Sequence, residues 1–350
     1  MVDVAAGEDT RAPLTILLSL IKFARIPMKI LPLGITLAVS LCVVLSGCAT
    51  SRRPAAENRI SFALIGDVPY SANDAAVSFP NMIEEINRAH VAFTVHDGDI
   101  KSGSEPCSEQ ALEAARRQFQ TFDSPFIYLF GDNEWTDCGR SPTNVISPEG
   151  WLDRLREVFT KGDQSLGKRT LTLERQSNES RFTKYRENVR WTLGNVLFVG
   201  LNLPGDANNF GQNEFAERNL ANLAWISDGF AYARSNQMRA IMLILQANPH
   251  FELAATNRLR LGFNEFLTLI EKETIAFKKP VLFVHGDSHY FRIDKPLMGR
   301  KSKRRLENFT RVETFGYPDV HWVQATIDEH DPNVFVFEPR IVGKNLVKQE

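Results

Sequence analysis

Four short apolar runs in this sequence end at a glycine followed by an aspartate. Phe62 to Ile65 runs into Gly66-Asp67, and Val91 to Val95 runs through His96-Asp97 into Gly98-Asp99. Phe126 to Phe130 runs into Gly131-Asp132, and Val281 to Val284 runs through His285 into Gly286-Asp287. Glycine turns the chain sharply without a Cβ penalty, so each carboxylate can leave its strand end towards one crevice. Converging carboxylates repel and raise one another's pKa, and a bound cation is the simplest remedy. His250 follows a fifth apolar run, Ala240 to Leu245, and His289 follows Asp287 by two residues. The ordered set is therefore Asp67, Asp99, Asp132 to Glu134, His250, Asp287 and His289. Two further pairs, Gly162-Asp163 and Gly205-Asp206, lie in polar or Pro-containing stretches and read as ordinary turns. His96 and His285 read as histidines hydrogen-bonded behind the loops, or as replacements for a lost ligand. Tyr70 and Trp135 read as packing or as cleft lining, and Lys101, Arg140 and Arg292 are cations that could hold a phosphate.

The elements that must carry these residues alternate. Strand 61–65 is followed by a helix opened by Pro80, with Met82, Ile83, Ile86 and Ala89 on one face. Strand 91–95 is followed by Leu112, Ala115, Phe119 and Phe122 at helical spacing, then by strand 126–130. Such β-α-β units build a right-handed, layered α/β architecture, and its sites lie at the carboxyl ends of the strands. Ser147-Pro148-Glu149 is a helix-start signal before Trp151, Leu152, Leu155, Val158 and Phe159. Residues 162–181 read as a polar surface excursion. Gly194-Asn195 reads as a hairpin turn between strands 190–193 and 196–201. Residues 213–234 and the segment around Phe263, Phe266, Leu267 and Ile270 read as helices. Trp322 to Ile327 and Val334 to Phe337 read as strands exposed on one face.

Taken in order, these motifs resemble those of the calcineurin-like metallophosphoesterases: Asp-x-His, Gly-Asp-x-x-Asp, Gly-Asn-His-Asp/Glu, a lone His, and Gly-His-x-His. The resemblance spans Phe62 to Pro296 and implies a four-layer α/β/β/α sandwich. Asp67 matches the first aspartate, while Pro69 stands at a metal-binding histidine. Asp99 matches the aspartate that bridges two metals, and Ser102 replaces the second aspartate of that motif. Asp132 stands at the metal-binding amide and Asn133 at the catalytic histidine. An asparagine cannot donate a proton to a leaving group as histidine can. His250 matches the lone histidine, Asp287 replaces the first histidine of the last motif, and His289 keeps the second. The implied metal ligands are Asp67, Asp99 and His289 around one ion and Asp99, Asp132, His250 and Asp287 around the other. Asn133, Asp99 and His250 take the catalytic positions. Such oxygen-rich sites suit Mn, Fe or Mg, with Zn also to be considered, as one or two divalent ions. The implied activity is hydrolysis of a small phosphoester by hydroxide held between ions about 3.5–4 Å apart. The alternative is an inactive binding or structural protein that keeps the fold, motivated by Pro69 and Asn133. No G-x-S-x-G, P-loop or G-x-G-x-x-G motif competes with this reading.

The chain of 350 residues has a formal net charge of -1, with 24% charged residues, which argues against nucleic-acid binding. A basic cluster, Arg300, Lys301, Lys303, Arg304 and Arg305, reads as a solvated loop. Met28-Lys29, the apolar stretch Ile30 to Leu45, and Leu45-Ser46-Gly47-Cys48 read as a secretory signal ending in a bacterial lipobox, with translation starting at Met28. An uncleaved membrane anchor is the alternative. The expected organisation is a signal region over 1–47, a tether over 48–58 and a catalytic domain over 59–350. Cys48 would carry the lipid, anchoring the protein in the bacterial cell envelope, facing the periplasm or in the outer membrane. In an oxidising compartment the remaining Cys107 and Cys138 are expected as a disulfide, with two free thiols as the alternative.

Overall fold

The structure is a computed structural model that describes residues 59–140, 146–328 and 330–346; the signal region, the tether and Cys48 lie outside them. Two sheets form the centre. The first has the order β12 (Phe335–Arg340), β11 (Trp322–Asp328), β1 (Arg59–Ile65), β2 (Thr94–His96) and β3 (Phe126–Tyr128). Strands β1, β2 and β3 run parallel, while β11 and β12 are antiparallel additions at one edge. The second sheet has the order β4 (Glu174–Arg175), β5 (Val189–Leu193), β6 (Val196–Gly200), β7 (Ala240–Ile244), β8 (Val281–His285), β10 (Phe309–Glu313) and β9 (Arg292–Asp294). Its inner strands β6, β7, β8 and β10 are parallel.

Alternation along the strands builds the layers. In β1, Phe62 and Leu64 pack between the sheets with Val196, Phe198, Met242 and Val284. Their neighbours Ala63 and Ile65 turn outward to Met82, Ile86, Leu112, Phe119 and Leu155. Those residues come from helices Phe79–Arg88, Glu109–Phe119 and Pro148–Phe159. On the far side Leu197, Val199, Ile241, Leu243, Val281 and Phe283 meet helices Phe215–Ser235 and Asn264–Phe277 through Trp225, Phe230, Phe266 and Ile270. Runs that read as continuously apolar in the sequence are thus strands buried on both faces. The result is the four-layer α/β/β/α sandwich.

Local signals hold where they are physically strong. Ser147 accepts from the backbone N–H of Gly150 at 3.1 Å and caps its helix. Gly194 and Asn195, with φ of 55° and 57°, turn β5 into β6. The expected strand over 91–95 is the shorter Thr94–His96, because the preceding residues supply single bonds to β1 rather than a ladder. The excursion over 162–181 contains the short strand β4, paired to β5. The basic loop around Lys301 is exposed. No helix among the described residues is long and apolar enough to cross a membrane.

Cys107 and Cys138 are joined as a disulfide with Cα atoms 5.5 Å apart. The bond ties the loop after β2 to the 3-10 turn Thr136–Arg140 after β3.

Candidate metal centre

The loops after β1, β2, β3 and β8 open at one end of the two sheets, and their acids meet there. Asp67, Asp99 and Asp287 adopt left-handed backbone conformations, with φ of 52°, 62° and 73°. Such conformations are uncommon for non-glycine residues and cluster at functional sites. Gly66 and Gly286, before two of them, serve close approach instead: a Cβ on Gly286 would meet Asp67 Oδ2 at 2.0 Å. Removing that Cβ lets the Asp287 N–H donate to both oxygens of Asp67 at 3.1 Å.

Tyr70 binds these loops together. Its hydroxyl donates to Asp99 Oδ2 at 2.9 Å, accepts from Asn133 Nδ2 at 2.9 Å, and lies 3.4 Å from Asp67 Oδ1 and 3.3 Å from His289 Nε2. Gln246, at the end of β7, donates through Nε2 to Asp99 Oδ2 at 3.1 Å and approaches Asp287 Oδ1 at 3.4 Å. The Asp99 Oδ1 accepts from the backbone N–H of Asn133, and Asp287 Oδ2 from that of Asn248. His289 donates through Nδ1 to the Tyr317 carbonyl at 2.7 Å, which turns Nε2 towards Asp67 Oδ1, 3.5 Å away. A backbone carbonyl on one imidazole nitrogen is the arrangement that orients a metal-binding histidine. Asp132 approaches Asp287 across Gly205, where a Cβ would lie 2.7 Å from Asp132 Oδ1 and 2.9 Å from Asp287 Oδ1.

Burial dominates the electrostatics. It raises Asp99, with repulsion from Asp132, Glu134 and Asp67 adding to it. It raises Asp132, with Asp287 and Asp137 next. Burial also pushes Asp287 up to about 6. Tyr70 rises far above its usual range through burial and then the Asp99 charge, so its hydroxyl stays protonated. For His289 burial lowers the pKa, yet the hydrogen bond and charge of Asp67 outweigh it and hold the imidazole above its ordinary value.

His250 is joined to Asp287 through Asn248, whose Oδ1 accepts from the His250 backbone N–H at 2.9 Å and whose own N–H donates to Asp287. The His250 pKa is lowered by burial, and the charges acting on it are Glu252 and Arg292. His96 and His285 sit behind the loops. The Nδ1 of His96 accepts from the Gly98 N–H, so Nε2 donates to the Val68 carbonyl. Burial lowers its pKa to about 4, and that of His285, which donates through Nδ1 to the Gly286 carbonyl, to about 3. Glu134 is a strut: Oε1 accepts from Tyr128, Gly131 and Asp99. Lys101 donates to the carbonyls of Ser102 and Glu105, Arg140 pairs with Asp137 and Asp206, and Arg292 pairs with Glu313.

Sequence reasoning missed Gln246, Asp137 and Asp206 and read Tyr70 as packing or cleft lining. Asp206 reads as an ordinary turn, yet it joins Asp132 and Asp137 in a group whose ligand atoms lie within 4.8 Å of one another. Among the described residues this is the group of three acids, histidines or cysteines with that spacing; the expected ligand sets are more widely spread, with Tyr70 between Asp67, Asp99 and His289. The centre still fits a hard cation. Asp132 Oδ1 is buried without a hydrogen-bond donor, and no Lys or Arg among the described residues bonds to Asp67, Asp99, Asp132 or Asp287.

The four-layer α/β/β/α sandwich has counterparts among solved structures. GAP50, the anchor in the inner membrane complex of Plasmodium, superposes with a TM-score of 0.51 at 10% identity, over 83% of this chain and 87% of that one. PhoD has a TM-score of 0.48 at 10% identity, covering 77% of this chain and 64% of its own. The purple acid phosphatase PPD1 of yellow lupin has a TM-score of 0.46 at 12% identity, and the chain spans 52% of its length. No known family model and no curated protein matches the sequence.

Proposed function

We propose that this protein hydrolyses a small phosphoester with the help of a divalent cation held by Asp67, Asp99, Asp132, Asp287 and His289. The observation that carries the reading is the convergence of four buried aspartates at the strand ends of a metallophosphoesterase sandwich, with no lysine or arginine bonded to them among the described residues. When bound, the cation supplies positive charge against the phosphoryl oxygens. The chain supplies the rest. His289 Nε2, oriented by the Tyr317 carbonyl, faces the same space as Asp67. Gln246 fixes the Asp99 carboxylate, and Asn133 fixes Tyr70. Tyr70 keeps a protonated hydroxyl in place of the donor that Asn133 lacks; its one proton, given to Asp99 in this structure, would have to turn from Asp99 to reach a phosphoryl oxygen. No side chain of this network is a free nucleophile, which leaves water to attack phosphorus.

A second reading, a binding or structural protein without hydrolysis, is favoured by Pro69 and Asn133, which remove a ligand and a proton donor. The fold permits it, since GAP50 is an anchor. Export and lipidation at Cys48 are part of the proposal, placing the protein at the bacterial cell envelope; the Cys107–Cys138 disulfide agrees with an oxidising compartment. Metal analysis of the purified protein, with p-nitrophenyl phosphate hydrolysis under added Mn²⁺, decides between the readings. Mn²⁺-dependent turnover supports the enzyme, and bound metal without turnover supports the binding protein.

A further inference from the structure

The turn after β6 forms one wall of a pocket beside the centre. Residues 206–212 stand across from the 3-10 turn Arg258–Phe263 over a cavity of about 320 Å³, a size that suits a small organic group. Phe210 and Leu259, both exposed, and Leu261 give it an apolar surface. Asp206 and Arg258 line it with opposite charges, which leaves apolar contact as its selective feature.

The walls are fixed. Asp206, Ala207, Asn208 and Asn209 all have positive φ, between 47° and 58°. Consecutive left-handed residues are costly outside glycine, and strain of this kind clusters at functional sites. Buried Arg218 donates to the side chain and carbonyl of Asn208, whose own amide donates to the Gly262 carbonyl at 3.0 Å. Gly262 lets the two walls close up, since a Cβ there would meet the Ala207 carbonyl oxygen at 1.9 Å. The Phe210 ring meets Phe215 edge-on, with centroids 5.2 Å apart.

This pocket adjoins the centre. Gly205, the residue before Asp206, packs against Asp132 and Asp287, and carboxylate oxygens of Asp206 and Asp132 lie within 4.8 Å of each other. A group esterified to a phosphoryl at those aspartates therefore has the pocket next to it.

The centre limits which group can leave. Side chains that hold a cation do so as carboxylates and neutral imidazoles, without the proton. That covers Asp67, Asp99, Asp132 and Asp287, and also Nε2 of His289, whose Nδ1 proton is given to the Tyr317 carbonyl. Burial keeps His250 below its ordinary value and so neutral. Tyr70 gives its one proton to Asp99, and the Asn133 amide, which is no acid, donates to Tyr70 and to the Lys101 carbonyl. A leaving group must then depart as its anion. This favours a phenol, with a pKa of about 10 like that of tyrosine, over an alkyl alcohol nearer the value of water, about 15.7.

We propose that the substrate is an aryl phosphoester whose ring lies in this pocket against Phe210 and Leu259. The inference rests on the phosphoesterase reading above and adds the leaving group to it. The oxygen of water bonds to phosphorus while the bond from phosphorus to the aryl oxygen breaks, and the electron pair leaves on that oxygen. The proton of the water passes to solvent, and solvent protonates the phenolate, so ester and water become phenol and phosphate.

Hydrolysis of phenyl phosphate, benzyl phosphate and glycerol 2-phosphate under Mn²⁺, beside titration calorimetry with phenylphosphonate, tests it. The benzyl ester keeps the ring but leaves as an alkyl alcohol, and glycerol 2-phosphate has no ring. Phenyl phosphate should exceed benzyl phosphate about a hundredfold in kcat/KM, the scale of a missing general acid. Phe210→Ala and Leu259→Ala truncate exposed side chains and spare the core. Each should raise KM for phenyl phosphate about tenfold, more than for glycerol 2-phosphate, and weaken phenylphosphonate binding by a similar factor. Equal kcat/KM for the phenyl and benzyl esters would overturn the aryl leaving group. Wild-type KM and wild-type phenylphosphonate affinity in both variants would overturn the pocket while leaving the phosphoesterase centre standing. If none of the three esters turns over, the hydrolytic reading fails, and calorimetry decides the pocket alone. Phenylphosphonate binding weakened in Phe210→Ala would keep it as an aryl site, and absent binding would overturn it.

Discussion

The Tyr70 hydroxyl donates to Asp99 Oδ2 at 2.9 Å, across a sequence separation of 29 residues, and stands between the aspartates of two loops and the imidazole of a third. A residue that reads in the sequence as packing or cleft lining is therefore the hub of the centre. Its ring keeps an independent contact, stacking on Tyr317 with centroids 5.8 Å apart.

Tyr70→Phe separates hub from packing. The ring stack survives, while the Asn133 amide loses one of its two acceptors. We expect a stability loss of about 1–3 kcal/mol for the unpaired polar groups. We also expect a fall in kcat of about a hundredfold with KM little changed, the cost of one lost donor to the reacting group. Denaturant melts and steady-state kinetics read the two effects separately.

The metal-free protein should lose stability as pH rises towards neutrality. Burial and mutual repulsion hold Asp99, Asp132 and Asp287 above the ordinary carboxyl value in the folded state, and Asp287 reaches about 6. A raised carboxyl contributes stability that is fully present below the unfolded pKa and is lost as pH rises through the folded one. His96 and His285 act oppositely. Their folded values, about 4 and about 3, lie below 6.5, so their contribution is present above 6.5 and lost as pH falls. Melting temperature in chelator between pH 5 and 7 should fall less steeply in Asp287→Asn, and saturating Mn²⁺ should flatten the wild-type slope. An Asp287→Asn slope identical to wild type would contradict this.

Reduction of the Cys107–Cys138 bond, which spans 31 residues, should cost about 3–4 kcal/mol on the chain-entropy model. It should also loosen the turn that carries Asp137 and Arg140. Equilibrium unfolding with and without reductant gives the energy, and a thiol count on the unfolded, unreduced domain should find neither cysteine free.

Cys48 should carry lipid. Mass spectrometry of the native N-terminus should find an acylated Cys48 as the first residue. A chain beginning at Met1 or Met28, without acyl mass, would contradict the envelope placement.

The layers and the strand ends were legible in the sequence because they depend on local signals. Phe62 and Leu64 alternate with Ala63 and Ile65, and Gly286 must lack a Cβ for Asp67 to fit. The connections across the centre were not. Gln246 meets Asp99 over 147 residues, and Tyr70 meets His289 over 219, distances at which no periodicity speaks. Strands β9 and β10 escaped notice because they are short and interrupted by charges that pair within the fold, such as Arg311 with Asp294. Asp206 escaped because its importance lies in a left-handed turn held by Arg218, and nothing in Gly205-Asp206 distinguishes it from a surface turn.

Metal content and p-nitrophenyl phosphate hydrolysis of Asp99→Asn, measured beside wild type, test the central claim most directly. Asp99 touches Tyr70, Gln246 and the Asn133 backbone, so neutralising it alters the middle of the centre. The expected result is Mn²⁺-dependent turnover and Mn²⁺-stabilised melting in the wild type, with both abolished in Asp99→Asn. A wild-type melting temperature indifferent to Mn²⁺, together with an unchanged melt for Asp99→Asn, would show that the converging aspartates are structural and would contradict the metal-dependent phosphoesterase.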